Sequence, residues 1–188
     1  FKDLFLNRYP EFDTMFEEAA QETGIEKNLL AAISFQESQW DPRAQSDMGV
    51  RGMMMVTLET AALVGVEKRL NPEQNIKGGA KYFAMLKEKN IVGETEADQL
   101  STVLASYNLG PTNINKIANQ INSDVQTVTW TEIREKLKVI KGSELNLVDR
   151  ESYSRGQQAI DYVDRVKSYY QLLSAHSCVA TKDQLIFF

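Results

Sequence analysis

The chain has 188 residues, of which 43% are hydrophobic and 25% are charged, and its formal net charge is −5. This length and composition are typical of a globular protein with one well-buried core. The negative charge, with no Lys/Arg run longer than two residues, argues against a nucleic-acid partner, which requires a basic surface. The single Cys178 excludes an internal disulfide and cysteine-rich zinc sites. We predict no metal and no cofactor, and we interpret His176 and Cys178 as incidental residues of a C-terminal tail.

Two amphipathic helices are predicted in the first 40 residues, and no alternating strand pattern stands out. Residues 11–23 place their apolar side chains on one helical face. A second helix begins near Glu26. It should end near Trp40, because Pro42 disfavours helical dihedral angles at Asp41.

The rest of the chain is also mainly helical in pattern. Residues 41–52 are rich in Pro, Ser, Asp and Gly and are predicted to form a loop, whereas the polar, irregular stretch 141–152 is a candidate mobile loop and lid. No run of about 20 apolar residues is present, so no transmembrane span is predicted. The pattern favours an all-α domain of seven to nine helices, with further helices at 57–64, 72–89, 97–108, 112–121, 130–138 and 155–173.

The stretch "ESQWDP" (37–42) places an acid where an apolar residue is expected. In a helix, Leu30, Ile33 and Glu37 share one face. The negative end of the helix dipole and apolar neighbours would raise the pKa of the Glu37 carboxyl group, as a general acid requires. A structural glutamate that accepts a hydrogen bond is the alternative, and position alone does not decide between them.

Three further stretches depart from a plain helical pattern. In "SDMGVRGMMMVT" (46–57), Gly49 and Gly52 allow tight turns, and three successive methionines cannot all face the core. In "SYNLGP" (106–111), Asn108 either caps the turn or offers its amide to a substrate. In "AIDYVDRV" (159–166), Tyr162 is either a core residue or a functional one.

Together, the order and spacing of these four stretches resemble the lytic transglycosylases, lysozyme-like enzymes that cleave peptidoglycan. The corresponding motifs here are "QESQWDP", "SDMGVRGMMM", "ASYNLG" and "DYVDRV". Met55 stands where most members have Gln, which makes the chain most similar to the membrane-bound lytic transglycosylase F subfamily. The resemblance implies an SLT-type, goose-lysozyme-like catalytic domain at 25–173, a lead-in helix within 1–24 packed on it, and a C-terminal tail at 174–188.

The resemblance implies that Glu37 is the single catalytic residue. In this family's mechanism the glutamic acid protonates the bond between N-acetylmuramic acid and N-acetylglucosamine, and the muramic acetamido group stabilises the developing cation. The carboxylate then deprotonates the C6 hydroxyl, which attacks C1 to give a 1,6-anhydromuramyl end. No second carboxylate is evident, since Asp41 lies beyond the helix end and Asp47 is outside the family pattern.

The resemblance also implies substrate-binding residues and residues that support them. Met55 lacks the amide of the usual Gln, so a polar substrate contact is not expected at that position. The tyrosine of the last helix is expected to contact the catalytic glutamate through its hydroxyl. The implied substrate-binding residues are Ser46, Met54, Met55, Tyr107, Asn108 and Tyr162, and the supporting residues are Ser38, Gly49 and Gly52.

The implied partner is the glycan strand of peptidoglycan, in the periplasm of a Gram-negative bacterium. The chain begins at Phe1 rather than Met, which favours a fragment or a processed form. Subfamily members carry an upstream domain similar to periplasmic amino-acid-binding proteins, and attachment to the outer membrane would come from segments outside this chain. The alternatives are a goose-type-lysozyme-like hydrolase, a non-catalytic peptidoglycan-binding domain and an unrelated helical interaction module.

Overall fold

The computed structural model describes residues 1–140, 145 and 153–185, with side chains placed for 1–140, 145 and 155–177. Within these residues the fold is all-α, as predicted, and extended pairing is limited to isolated bridges of Arg51 with Gln45 and Val56. None of the helices described combines the length and the apolar run that are needed to cross a bilayer. The α-helices are α1 (Lys2–Asn7), α2 (Asp13–Thr23), α3 (Lys27–Ser38), α4 (Leu58–Val64), α5 (Pro72–Lys89), α6 (Glu96–Leu109), α7 (Pro111–Ile121), α8 (Trp130–Val139) and α9 (Tyr153–Leu185), with 3-10 turns at Tyr9–Glu11 and Val125–Thr127.

The predicted and observed helices differ most at the two ends of the chain. Helix α1 was missed because its six residues are fewer than two turns, too few for a periodic pattern to show. The last helix was expected to end near residue 173, yet α9 continues to Leu185. Residues 174–185 contain neither Gly nor Pro, so nothing in the sequence stops the helix where its apolar period ends. The predicted lid at 141–152 lies outside the described residues except for Leu145.

Helix boundaries between these ends follow local sequence signals. Helix α2 ends at Thr23 and is capped by Gly24, whose φ of 69° is left-handed. Helices α6 and α8 each begin with a capping box, formed by Thr95 with Asp98 and by Thr129 with Glu132. Hydrogen bonds from the backbone and side chain of Thr129 lower the pKa of Glu132. These signals explain why the predicted bounds of the middle helices agree with the structure to within one or two residues.

The fold divides into two compact units, and the first comprises Phe1–Ala84 and Arg165–Phe188. Its core includes an aromatic cluster around Trp40, whose side chain is fully buried. The Trp40 ring centroid lies 4.7 Å from that of Phe35 and 4.8 Å from that of Tyr9. Phe1 stacks on Tyr169 of α9 at 5.6 Å, so the C-terminal part of α9 packs against the start of the chain. The lead-in segment 1–24 contains α1, a 3-10 turn and α2 rather than one helix.

The second unit comprises Met85–Asp164. Helices α6, α7 and α8 pack on one another through buried aliphatic side chains. Helix α8 is also joined to α9 by an ion pair between Arg134 and Asp164, with a nitrogen–oxygen distance of 2.8 Å. The fully buried side chains of this core include Leu104, Ile114, Ile117, Ile133, Ile160 and Val163.

The burial of Tyr9 predicts an alkaline limit to stability. Tyr9 is 7% exposed, and this burial is the largest cause that raises the pKa of its hydroxyl far above the usual range. A hydrogen bond with Asp13 and the negative charges of Asp13 and Glu17 raise the pKa further. The folded state therefore holds this proton more tightly than the unfolded state does. The Tyr9 contribution to the free energy of unfolding is complete below about pH 10 and falls as the pH rises above that value.

We expect Tyr9→Phe to reduce this alkaline loss of stability, because the variant has no hydroxyl to ionise. Urea unfolding midpoints measured from pH 7 to 11 check this. At pH 7 the variant should be about 1 kcal/mol less stable, owing to the lost hydrogen bond. Tyr169→Phe, which removes a half-buried hydroxyl from the same unit, is the control. Equal alkaline slopes for wild type and Tyr9→Phe would contradict the prediction.

Candidate active site

Glu37 lies in the last turn of α3, at the end of the apolar stripe that the sequence predicts. Leu30 and Ile33 are both fully buried, whereas Glu37 is half-buried. The stripe therefore comes to the surface at this carboxyl group. A half-buried acid at the C-terminal end of a helix keeps access to a ligand while it loses part of its hydration.

The turn after Glu37 is strained. Helix α3 ends at Ser38, two residues before the predicted end near Trp40. Gln39 and Trp40 both have positive φ angles, 55° and 59°, a conformation that costs about 1–2 kcal/mol per residue. Trp40 is nevertheless fully buried, and its indole N–H donates to the carbonyl oxygen of Ala31 at 2.9 Å. Burial of this ring offsets the strain and fixes the chain directly after the acid.

Ser46 closes a tight turn at the start of the loop 46–57. Its backbone N–H donates to the carbonyl oxygen of Val50 at 3.0 Å, and its hydroxyl oxygen accepts from the N–H of Val50 at 3.2 Å. Gly49 occupies the left-handed region at φ 79° and donates to the carbonyl oxygen of Ser46 at 3.0 Å. In this conformation the hydroxyl of Ser46 supports the turn.

The three methionines of the loop divide between core and surface. Met53 and Met54 are fully buried, and Met55 is half-buried with a φ of 48°. The prediction that at least one of them leaves the core is confirmed. Met54 was predicted to line a substrate cleft, but its side chain packs against α5, where a Cβ on Gly79 would lie 2.6 Å from its sulfur atom. In this conformation Met55, not Met54, offers side-chain surface to a ligand.

The peptide group between Met53 and Met54 is held from two sides. Its carbonyl oxygen accepts hydrogen bonds from the hydroxyls of Ser34, at 3.0 Å, and Ser38, at 2.8 Å. Its N–H donates to Oδ1 of Asn75 at 2.7 Å. Ser34 and Asn75 are not among the predicted site residues. Both are fully buried polar residues on helices, so the signal that singled out Glu37, a polar residue on an apolar face, was available for them.

Three of the predicted site residues belong to unit 2, whereas Glu37 and the loop belong to unit 1. Tyr162 is buried in α9, at 4% exposure. Tyr107 is half-buried and Asn108 exposed in the last turn of α6. Asn113, rather than Asn108, caps this turn, since its Nδ2 donates to the carbonyl oxygen of Leu109 at 2.8 Å. The side-chain amide of Asn108 therefore does not form this cap, which was one of the two roles predicted for it.

A separate pocket in unit 1, of about 240 Å³, contains no predicted site residue. Four of its polar lining residues are paired with each other, Lys27 with Asp13 in an ion pair at 3.2 Å and Asn28 with Ser177 in a hydrogen bond at 3.2 Å. His176 also lines this pocket and stacks on Phe5, with ring centroids 4.9 Å apart. His176 is exposed and packs against α1 as part of α9, a contact that the prediction of a tail did not include.

The family model of the transglycosylase SLT domain matches residues 14–128 of the chain. This segment holds Glu37, the whole loop 46–57, and Tyr107 with Asn108. The chain belongs to the transglycosylase SLT domain family. Tyr162, the last predicted site residue of this SLT domain, lies beyond the matched segment.

Curated relatives of this SLT domain are named membrane-bound lytic murein transglycosylases F. The chain is 41% identical over 170 residues to F 1 of Alkalilimnicola ehrlichii, an alignment that covers 89% of the chain and 34% of that relative. It is 36% identical over 188 residues to the Marinobacter nauticus protein, covering 95% of the chain and 37% of the relative. The chain therefore spans about a third of the length of these relatives.

Solved structures support the fold of the SLT domain. An inactive mutant of the lytic transglycosylase Slt from Pseudomonas aeruginosa superposes with a TM-score of 0.62 at 19% identity, over 87% of this chain and 24% of that one. The 70 kDa soluble lytic transglycosylase Slt70 from Escherichia coli gives 0.58 at 18% identity, over 88% and 24%. At these identities the likeness establishes the helical architecture alone.

Proposed function

We propose that this SLT domain is a peptidoglycan lytic transglycosylase that cleaves the β-1,4 bond between N-acetylmuramic acid and N-acetylglucosamine without water. The observation that carries the proposal is the placement of Glu37. It is a half-buried acid at the end of a buried stripe and next to Ser38, which holds the loop, and it lies inside the segment matched by the SLT family. The names of the relatives, lytic murein transglycosylases, support the same substrate class.

Glu37 acts twice in the proposed reaction. As an acid it gives its proton to the glycosidic oxygen, so the N-acetylglucosamine chain leaves as an alcohol, and the muramic acetamido group stabilises the cation at C1. The resulting carboxylate takes the proton of the C6 hydroxyl of the same sugar while the oxygen forms a bond to C1. The proton balance closes on one carboxyl group, which ends protonated, as it began.

The remaining site residues are proposed to bind the sugar chain. Ser46 would contribute its hydroxyl, and Met55 would provide an apolar surface for a sugar face. Asn108 suits an amide contact with an acetamido group, since it is exposed and its turn is capped by Asn113. Tyr107 and Tyr162 are proposed to orient the sugar and the acid, as the family resemblance implies. Because the side chain of Met54 is buried, we propose that Met54 contributes only its backbone to the binding surface of the loop.

The cellular setting follows from the same family. Relatives are named membrane-bound, and the chain spans about a third of their length. We propose a periplasmic enzyme whose full-length form is attached to the outer membrane. The catalytic domain would occupy 25–173, preceded by the lead-in segment 1–24 and followed by 174–188, and an upstream domain of the periplasmic-binding-protein type would regulate it.

Product analysis tests the proposal. Purified peptidoglycan is digested with the chain, and the muropeptides are identified by mass spectrometry. We expect 1,6-anhydromuramyl ends. Reducing ends, heavier by one water, would instead indicate the hydrolase alternative. Binding to peptidoglycan without any product would indicate the non-catalytic alternative, and neither binding nor product would contradict the proposed substrate.

A further inference from the structure

We propose that Asn75 is a positioning residue of this active site. Together with Ser34 and Ser38, it fixes the Met53–Met54 peptide, and through it the loop 46–57, relative to the helix that carries Glu37. The inference rests on the proposed function for its catalytic consequence, whereas the positioning itself is a property of unit 1 that can be measured without substrate.

Both polar atoms of the Asn75 side chain form hydrogen bonds, two with the loop and one with the segment that precedes α5. Its Oδ1 accepts from the N–H of Met54 at 2.7 Å, and its Nδ2 donates to the carbonyl oxygens of Arg51, at 2.9 Å, and Arg69, at 2.8 Å. The residue is fully buried in the first turns of α5. Buried hydrogen bonds of this kind hold geometry strongly, because water does not replace a bond that is lost.

The opposite side of the same peptide is held by the helix of the catalytic acid. Ser34 and Ser38 of α3 donate to the carbonyl oxygen of Met53, and Ser38 follows Glu37 directly in the sequence. The Met53–Met54 peptide is therefore shared between α3 and α5. Any displacement of the loop from α3 must break the bonds on one side of this peptide.

Other contacts from the same region limit the loop further. Nη1 of Arg69 donates to the carbonyl oxygens of Gly49, at 2.6 Å, and Val56, at 3.1 Å, which lie near the two ends of the loop. The backbone of Gly52 lies so close to Asn75 that a Cβ there would overlap the Asn75 amide. The loop's own hydrogen bonds form short turns and isolated bridges, and these side chains add contacts that tie the loop to the rest of unit 1.

The experiment compares Asn75→Asp with wild type. The aspartate keeps the size and the acceptor for the Met54 N–H, but its second oxygen faces two carbonyl oxygens that it can no longer satisfy when ionised. We expect Asn75→Asp to lower kcat/KM for glycan cleavage about 100-fold at neutral pH, because small displacements of an active site have effects of that size. The ratio of wild-type to variant activity should shrink at acidic pH, where the introduced carboxyl group is protonated and donates to one carbonyl again.

Amide hydrogen exchange at Met54 is the direct readout of positioning. In Asn75→Asp we expect exchange at Met54 to accelerate at least about tenfold, measured well below the melting temperature so that local opening dominates. Thr102→Val is the matched control. It removes a fully buried hydroxyl that donates to Val92 in unit 2, so it lowers stability without touching the loop. If Asn75→Asp does not fold, Ser34→Ala removes one donor to the same peptide and should give the same changes at smaller size.

The outcomes separate the two proposals. If wild type makes no anhydro products, while exchange at Met54 rises in Asn75→Asp or Ser34→Ala but not in Thr102→Val, the proposed function fails and the positioning role stands. If Met54 exchange in Asn75→Asp, or in Ser34→Ala where that variant replaces it, matches that in Thr102→Val, the positioning role is overturned whatever the activity. Faster exchange with unchanged kcat/KM would overturn the catalytic consequence.

Discussion

Replacement of Glu37 by Gln is expected to abolish formation of anhydromuropeptides while the fold is retained. Glutamine has nearly the same size but carries no proton to donate and no basic carboxylate, so both halves of the proposed reaction lose their catalyst. General acid–base groups contribute about 10²–10⁴-fold to rate, and loss of one that acts twice should fall at the upper end of that range. The half-buried position of Glu37 limits the effect of the change on stability.

The measurement is the initial rate of anhydromuropeptide release, quantified by mass spectrometry, with the circular dichroism melting curve recorded on the same samples. Glu88→Gln is the matched control, because it makes the same chemical change at an exposed position near the end of α5. We expect wild-type rates for this control. A Glu37→Gln variant that retains more than about a tenth of wild-type activity would be incompatible with its assigned role.

The general architecture could be predicted from the sequence because its helices carry clear local signals. Helix α5 was predicted at 72–89 from its apolar period and its Asn-Pro start, and it is observed at Pro72–Lys89. Helix α1, which was not predicted, depends on packing instead, whereas the end of α9 was misplaced because the apolar period stops before the helix does. Helix α1 is held by aromatic contacts such as that of Phe5 with Tyr9 at 5.3 Å, which its short sequence does not reveal.

From the residue pattern alone, the candidate site was predictable only where a polar residue occupies a position that is otherwise apolar. A carboxylate on an apolar stripe pointed to Glu37, and the structure confirms the buried stripe. The conformation of the loop was not predictable, since it arises from contacts between residues about 20 positions apart, such as Met54 with Asn75. The burial of Met54 was not predictable either, because it arises from packing of the side chain against Gly79 of α5, about 25 residues further along the chain.

Replacement of Gly52 by Ala is expected to lower the stability of the domain strongly. Gly52 has a φ of 83°, where an L side chain is strained by about 1–2 kcal/mol. A Cβ there would also overlap the carbonyl oxygen of Arg69 and the amide of Asn75, which are hydrogen-bonded to each other and so resist displacement. Overpacking of this kind adds about 1–3 kcal/mol. The combined loss, roughly 2–5 kcal/mol, should lower Tm by about 4–20 °C for a domain of this size.

Gly49→Ala separates the two causes. Gly49 has nearly the same φ, 79°, but nothing lies within 4 Å of the position its Cβ would take, so this variant carries the backbone strain alone. Tm and the urea midpoint of both variants give the cost of the close approach by difference. We expect Gly52→Ala to lose at least about 1 kcal/mol more than Gly49→Ala. Equal losses would mean that Asn75 and Arg69 yield to the added methyl group, and the loop would then be less rigid than its hydrogen bonds indicate.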